Sequence, residues 1–279
     1  MSRLFYEKDP FAPIKYCYQM PEVLHSLKTE YNQIMVIRND YFGKMLILND
    51  VVQLTERDEH FYHEMLVHVA LHAHPSPADV LIIGGGDGGA LREVLKHGVM
   101  ERAMLVEIDR EVIEASRRFF PTLSTGFDDP RVRIVAMDGA DFLAETKRKF
   151  DLIFVDSTDP VGTAEPLFTS QFFTLASSAL KAEGMFVAQT ESLHFHQEFV
   201  RNVQHRLAQI FKLVDLYTVP LATYAGNWWT FSIASKRYNP REMARKCEVS
   251  TRYYAEDVHQ QAFLPRSLYQ KLIGGEKDG

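Results

Sequence analysis

"VLIIGGGDGGALREVLKH", residues 80–97, decides the fold. Four apolar residues read as a short buried strand, and the pattern after Gly89 reads as a helix. Between them Gly84, Gly86 and Gly89 fall in a GxGxxG spacing. Glycines at such positions permit a tight turn, close approach of a ligand and a helix start facing it. Glu107 closes the next apolar run, where a carboxylate can accept from both hydroxyls of a ribose. NAD and adenosyl-sulfonium compounds share that geometry, and a packing turn without a ligand also gives the glycine pattern. The motif alone therefore reaches a ribose-bearing nucleotide and no further.

Working outward, "AMLVEI" (103–108), "VRIVAM" (132–137), "DLIFVD" (151–156) and "GMFVAQT" (184–190) are further apolar strands. Helical patterns lie between them at 89–97, 110–119, 139–147 and 170–181. Continuous apolar strands alternating with helices imply a parallel sheet covered on both faces, an α/β fold. A helix at 197–211 and strands "LVDLYTV" and "WWTFSIAS" complete this part. Upstream, 14–55 reads as short strands ("YCYQM", "QIMVI", "KMLIL") separated by turn signals such as "RNDYFG". A helix over 57–72 follows, with Phe61, Met65, Leu66 and Val69 on one apolar face, and "HPSPAD" (74–79) breaks it. The division expected is a small N-terminal β-strand domain, 1–56, and a larger catalytic domain, 57–279.

Composition narrows the class. The 279 residues carry 31 Lys and Arg against 37 Asp and Glu, a formal net charge of −6. There is no basic stripe of the kind a nucleic-acid binder needs. Cys17 and Cys247 are too few for a disulfide framework. "MSRLFYEKDPFAP" lacks the apolar core of a signal peptide, and no apolar run approaches the ~20 residues of a membrane span. The expectation is a cytoplasmic protein without membrane or nucleic-acid partners.

The acids are placed unusually. Asp87 sits inside the glycine loop, where it would repel a pyrophosphate at the same helix end and suit a cation instead. Asp87, Glu107, Asp138 and Asp156 mark the ends of four successive strand segments, and ligands of open α/β sheets bind beyond those ends. Asp138, followed by Gly139, reads equally as a helix N-cap or as a contact to an adenine edge. Asp159 follows Asp156 by three residues. His63-Glu64 with His68 is HExxxH, and five residues turn the two rings roughly 140° apart, so the zinc-protease pattern fails. His68 and His72 share a face, with no third ligand apparent. In "ATYAGNWW" (222–229), core packing is expected for Trp229 and closure over a ligand for Tyr224.

Together "VVQLTERDEHFYHEM", "GGGDGG", "VEID", "DG" and "DSTDPVG", in this order and spacing, resemble the spermidine synthases, the polyamine aminopropyltransferases. The resemblance runs from about Thr29 to Phe263. It implies a small N-terminal β-domain joined to a Rossmann-like, methyltransferase-type domain, assembled as a homodimer or homotetramer. It implies transfer of an aminopropyl group from decarboxylated S-adenosylmethionine, a co-substrate, to putrescine, with no cofactor and no metal. Carried over by position, Asp156 is the catalytic base and Asp159 a ligand of the acceptor amine. Glu107 holds the ribose, Asp138 and Gly139 the adenine, and Asp87 the aminopropyl ammonium, while Gln53, Tyr62, His63 and Tyr224 line the amine pockets. The chain departs from the family at three places. Asn32 stands where a glutamine is expected, so either Asn32 serves or a one-residue bulge brings in Gln33. Thr163 replaces a proline in the loop over the nucleoside, and Ala222 replaces one before Tyr224. A diamine N-methyltransferase and a catalytically silent nucleotide-binding module are the competing readings.

Overall fold

The computed structural model describes residues 3–224 and 226–274. Near the N-terminus β1 (Leu4–Lys8) and β2 (Lys15–Gln19) form an antiparallel hairpin. β3 (Glu22–Lys28), β4 (Gln33–Asn39), β5 (Gly43–Leu48) and β6 (Val51–Thr55) form a four-stranded antiparallel sheet in that order. Alternation along the strands serves two cores. Ile34, Val36, Leu46 and Leu54 pack on Val112, Ala115 and Phe120, whereas Ile37, Met45, Ile47 and Val52 pack under Phe5 of the hairpin. In "RNDYFG" the Asn39 side chain accepts from the Tyr41 and Phe42 amides, which sets the turn. β1, β3 and β6 lie outside the strand segments that the sequence pattern picks out.

α1 (Glu59–Ala73) departs from expectation. One apolar face is predicted, yet the helix is buried on nearly every side and Phe61 is its one half-buried residue. The large sheet covers one side, and the chain at 244–254 wraps another, with the Ala244 and Arg245 amides donating to the His72 carbonyl. Glu64 lies inside that wrap. Its carboxylate accepts from the backbone amides of Arg252, Tyr253 and Tyr254 at 2.8–2.9 Å.

Next come β7 (Asp79–Gly84), α2 (Gly89–Leu95), β8 (Arg102–Glu107), α3 (Arg110–Phe119), β9 (Val132–Ala136), α4 (Gly139–Glu145) and β10 (Phe150–Asp156). α5 (Ser170–Ala179), β11 (Leu180–Ser192), α6 (Gln197–Ala208), β12 (Leu213–Pro220) and β13 (Trp228–Ser235) follow, then α7 (Glu256–Ala262) and α8 (Arg266–Leu272). Seven strands form one sheet in the order β12-β13-β11-β10-β7-β8-β9. Its central strands are parallel, and β13 runs antiparallel to both neighbours. α1 and α2 cover one face, and α4, α5 and α6 the other, each over an apolar core. Four helices stop two or three residues short of their sequence patterns, as fraying ends do. No helix among the described residues is long and apolar enough to cross a membrane.

The connectivity positions the site. From β7 the chain winds outward through β8 and β9, then returns to place β10 on the other side of β7. Connections leaving in opposite directions open a crevice beyond the carboxyl ends of β7 and β10.

Glu64→Ala removes the acceptor of three backbone donors in the wrap over α1, and should lower unfolding free energy by about 2–4 kcal/mol. Thermal midpoints at one protein concentration, compared with wild type, check this.

Candidate active site

The turn after β7 brings two carboxylates together. Gly84 and Gly85 have φ of +80° and +69°, and the Gly85 amide donates to the Asp156 carbonyl at 2.8 Å. The glycine loop thus lies on the end of β10, and Asp87 comes to Asp156. One nitrogen of His63 and one oxygen from each of Asp87 and Asp156 lie within 4.8 Å of one another.

Two cavities open here. The first, about 880 Å³ with its mouth included, is bounded by the glycine loop, Glu107, Asp138, Gly139, Asp156, Thr163 and Asn32. The second, about 490 Å³, is bounded by Glu7, Asp9, Asp159, Gln189, Glu191 and Trp229 among others. Gln53, Tyr62, Ser157 and Tyr224 line both and form the partition. The Tyr224 hydroxyl bonds to the Gln53 carbonyl, and the Tyr62 and Tyr224 rings meet edge to face.

Asp156 lines the first cavity beside that partition, bonded to Tyr62. Its Oδ1 accepts from the Tyr62 hydroxyl at 2.8 Å, and its Oδ2 is buried without a partner. Burial and the nearby Asp87 charge push its pKa up to about 6, against a pull downward from His63 and Tyr62. Burial also raises Tyr62, so its hydroxyl remains a donor. Asp87 behaves oppositely: burial favours its neutral form, but His63 and the Gly89 amide outweigh burial and hold its pKa below the ordinary carboxylate value. Its Oδ1 accepts from Gly89 N at 2.6 Å and faces His63 Nε2 at 3.3 Å.

Glu107 closes β8 with both oxygens engaged, accepting from Gly86 N at 3.1 Å and Asp109 N at 2.9 Å. Burial lifts its pKa to about 7. It therefore ties the glycine loop as well as bounding the cavity. Asp138 caps α4 through Oδ1, which accepts from the Ala140 and Asp141 amides, and with Gly139 it also lines the first cavity. Thr163 enters from the turn Gly162–Phe168.

The choice between Asn32 and Gln33 falls to register. Asn32 is buried at the first cavity, donating to Asp109 at 2.8 Å. Gln33 opens β4 in regular pairing with Lys28, with no bulge there. Its side chain is exposed, donates to Ser26 Oγ, and lies outside both cavities. Of the two alternatives, the bulge that would bring Gln33 into the site is corrected, because β3 and β4 pair in unbroken register there.

Two other expectations change. A third histidine, His97, does reach His68 and His72, all three buried. The His68 and His97 nitrogens that face each other are bonded at 2.9 Å, and the other His68 nitrogen meets Glu93 at 2.9 Å. Trp229 packs in the core with Tyr224 and also bounds the second cavity, its Nε1 buried without a partner.

Several site residues escape sequence reasoning. The second cavity gathers Glu7, Asp9 and Glu191 around Asp159, whose pKa lies well above the ordinary value through burial and the charges of Glu191 and Glu7. His196 bridges Asp9 and Glu191 at 3.1 Å each. Behind His63, Glu59 accepts from Nδ1 at 2.7 Å and Arg92 clamps both Glu59 oxygens. The one local signal was the i,i+4 spacing of Glu59 and His63.

Parallel strands ending in carboxylates around one cavity, beside a smaller acid-lined one, define an α/β protein whose crevice has the charge to suit a cationic ligand. Residues 59–245 match the family description "Spermine/spermidine synthase domain", and residues 4–56 match "Spermidine synthase tetramerisation domain". The chain belongs to the spermine/spermidine synthase family. It is 55% identical to "Polyamine aminopropyltransferase 1" of Aquifex aeolicus (strain VF5), covering 98% of both chains. It is 41% identical to the polyamine aminopropyltransferase of Bacillus subtilis (strain 168), covering 98% of this chain and 100% of that one. Among solved structures, spermidine synthase in complex with the transition-state analogue AdoDATO matches at a TM-score of 0.93 and 37% identity, covering 98% of this chain and 97% of that one. Spermidine synthase from Thermotoga maritima matches at 0.91 and 36% identity, covering 98% and 96%.

Gly84→Ala would set a methyl 2.1 Å from the Asp156 carbonyl oxygen at a φ that L residues rarely adopt, whereas Gly98→Ala meets nothing within 4 Å. Melting curves should show a loss of roughly 3 kcal/mol or more for the first and under about 1 kcal/mol for the second.

Proposed function

We propose that this protein is a polyamine aminopropyltransferase, transferring the aminopropyl group of decarboxylated S-adenosylmethionine to putrescine and giving spermidine and 5′-methylthioadenosine. The observation that carries the reading is Asp156 Oδ2, an unpartnered buried oxygen on a residue that lines the first cavity and is bonded to Tyr62, which separates that cavity from the acid-lined one. The relatives' names favour the same reaction, and the methyltransferase and silent-module readings find no support among them.

The reaction needs a neutral amine, and with a pKa near ~10 only about one in a thousand is neutral at pH 7. Asp156 meets that need. The acceptor nitrogen attacks the methylene beside the sulfonium, the C–S bond breaks with its electron pair going to sulfur, and the lost proton passes to Asp156 Oδ2. Glu107 takes the ribose, Asp138 and Gly139 the adenine, and Thr163 and Asn32 border the nucleoside. The free oxygen of Asp87 takes the donor's ammonium. The carboxylate of ordinary S-adenosylmethionine would meet Asp87 instead, a like-charge contact costing several kcal/mol. In the second cavity Asp159 anchors the acceptor, with Glu7 and Glu191 around its distal ammonium. Gln53, Tyr62 and Tyr224 hold donor and acceptor in line across the partition. The donor is already activated, so the reading includes no cofactor or metal. We place the protein in the cytoplasm as a homo-oligomer, with 1–56 and 57–279 as its two domains.

Incubation with both donors and putrescine, read by mass spectrometry, should yield methylthioadenosine and spermidine; adenosylhomocysteine would instead mark a methyltransferase. Asp156→Asn should lower kcat and kcat/KM together by a factor on the order of 10²–10⁴, whereas Asp159→Asn should chiefly raise the putrescine KM.

The pH profile follows from Asp156. As pH falls through about 6 the base is protonated, so kcat/KM should show an acid limb there. Asp87 is a negative neighbour that raises that limb, so Asp87→Asn should move it to lower pH while raising the donor KM. Steady-state rates from pH 5 to 9 check both.

A further inference from the structure

Two buried carboxylates a few ångströms apart do not both stay ionised unless a cation stands with them; otherwise they share a proton. Asp87 and Asp156 are such a pair before any substrate arrives. The group placed to be that cation is His63, whose ring lies against Gly89 so closely that a Cβ there would come within 2.3–2.5 Å of it. The ring is held from behind. Glu59 Oε2 meets Nδ1 at 2.7 Å, leaving Nε2 toward Asp87. Arg92 grips Glu59 through Nη1 at 3.1 Å and Nη2 at 2.9 Å, and its Nε donates to Glu93 at 2.7 Å. His63, Glu59 and Glu93 are buried and Arg92 and Asp87 mostly so, which leaves water little room to screen these charges.

We propose that Glu59, locked by Arg92, is a positioning residue that fixes His63 as a doubly donating imidazolium facing Asp87 and Asp156, so that Asp156 is unprotonated when the acceptor arrives. This rests on Asp156 being the base. The groups around the ring agree with a cation there. Glu59 and Tyr62 face it from α1, Asp87 from the glycine loop, Asp156 from β10, and Arg92 from α2 stands beyond Glu59. Although burial disfavours the charged ring, Asp87 and Glu59 outweigh it and hold the His63 pKa well above its ordinary value. Burial acts on Glu59 the other way, yet His63 and Arg92 bring its pKa down to about 2.

Glu59→Gln removes the charge that keeps the ring protonated, and the acid limb of kcat/KM should then move to higher pH. The variant should be roughly tenfold slower than wild type at pH 6 and close to it at pH 8.5. In a His63→Gln background, Glu59→Gln should move the limb no further. A constant ratio across pH, or a second shift in that background, overturns the inference. A measurement on the wild type needs no variant to fold. In protein labelled with ¹⁵N-histidine, with the His63 signal assigned by its loss in His63→Gln, both ring nitrogens should carry protons at pH 7.5. A neutral ring overturns the inference. Near-normal turnover by Asp156→Asn would instead remove the base reading beneath it while leaving the ring's charge state measurable.

Discussion

Negative charge gathered in a dry crevice is the constraint on which this molecule turns. Asp87, Glu107 and Asp156 stand at or beyond the carboxyl ends of adjacent parallel strands, and Asp159 lies just past them. Burial alone would neutralise all four. Each is answered differently: Asp87 by His63 and a backbone amide, Glu107 by two backbone amides, Asp156 by a tyrosine hydroxyl and one bare oxygen. Asp159 is left among other acids with its pKa raised. The least satisfied groups face the two cavities, where on the proposed function cationic ligands would supply what the protein withholds.

α1 reconciles that charge with the fold. A helix in contact with water could carry Glu59, His63, Glu64 and His68 freely, but this one is buried on nearly every side. Every polar group along it therefore needs a partner. Glu59 and His63 form the ion chain behind Asp87, Tyr62 reaches Asp156, and Glu64 holds the chain that wraps the helix. The same helix is core, scaffold and counter-ion, so loss of one polar contact there is felt in both stability and chemistry.

The second cavity joins distant parts of the chain. Glu7 comes from β1, Asp9 from the connection between β1 and β2, Gln53 from β6, Asp159 from beyond β10, Glu191 from β11 and Trp229 from β13. The N-terminal β-region is thus a wall of the catalytic crevice. On the proposed function a diamine reaching Asp156 would pass carboxylates contributed by that wall, which would couple acceptor recognition to the seating of the hairpin.

Periodicity by itself determined the parallel sheet, the glycine turn and the acids at the strand ends, since a strand's end and the residue that caps it are neighbours in the chain. Asp87, Glu107, Asp138 and Asp156 were legible for that reason. The family motifs added Gln53, Tyr62 and His63. Only tertiary structure decided that Asn32 and not Gln33 faces the crevice, because strand register is fixed by pairing across the sheet. It alone decided that α1 is enclosed, since the chain at 244–254 that wraps it lies far away in sequence. Glu7, Asp9, Glu191 and Arg92 carry no local mark either. Their roles come from charges that meet across folds of the chain, and a sequence pattern records spacing along the chain, not the distance between charges in space.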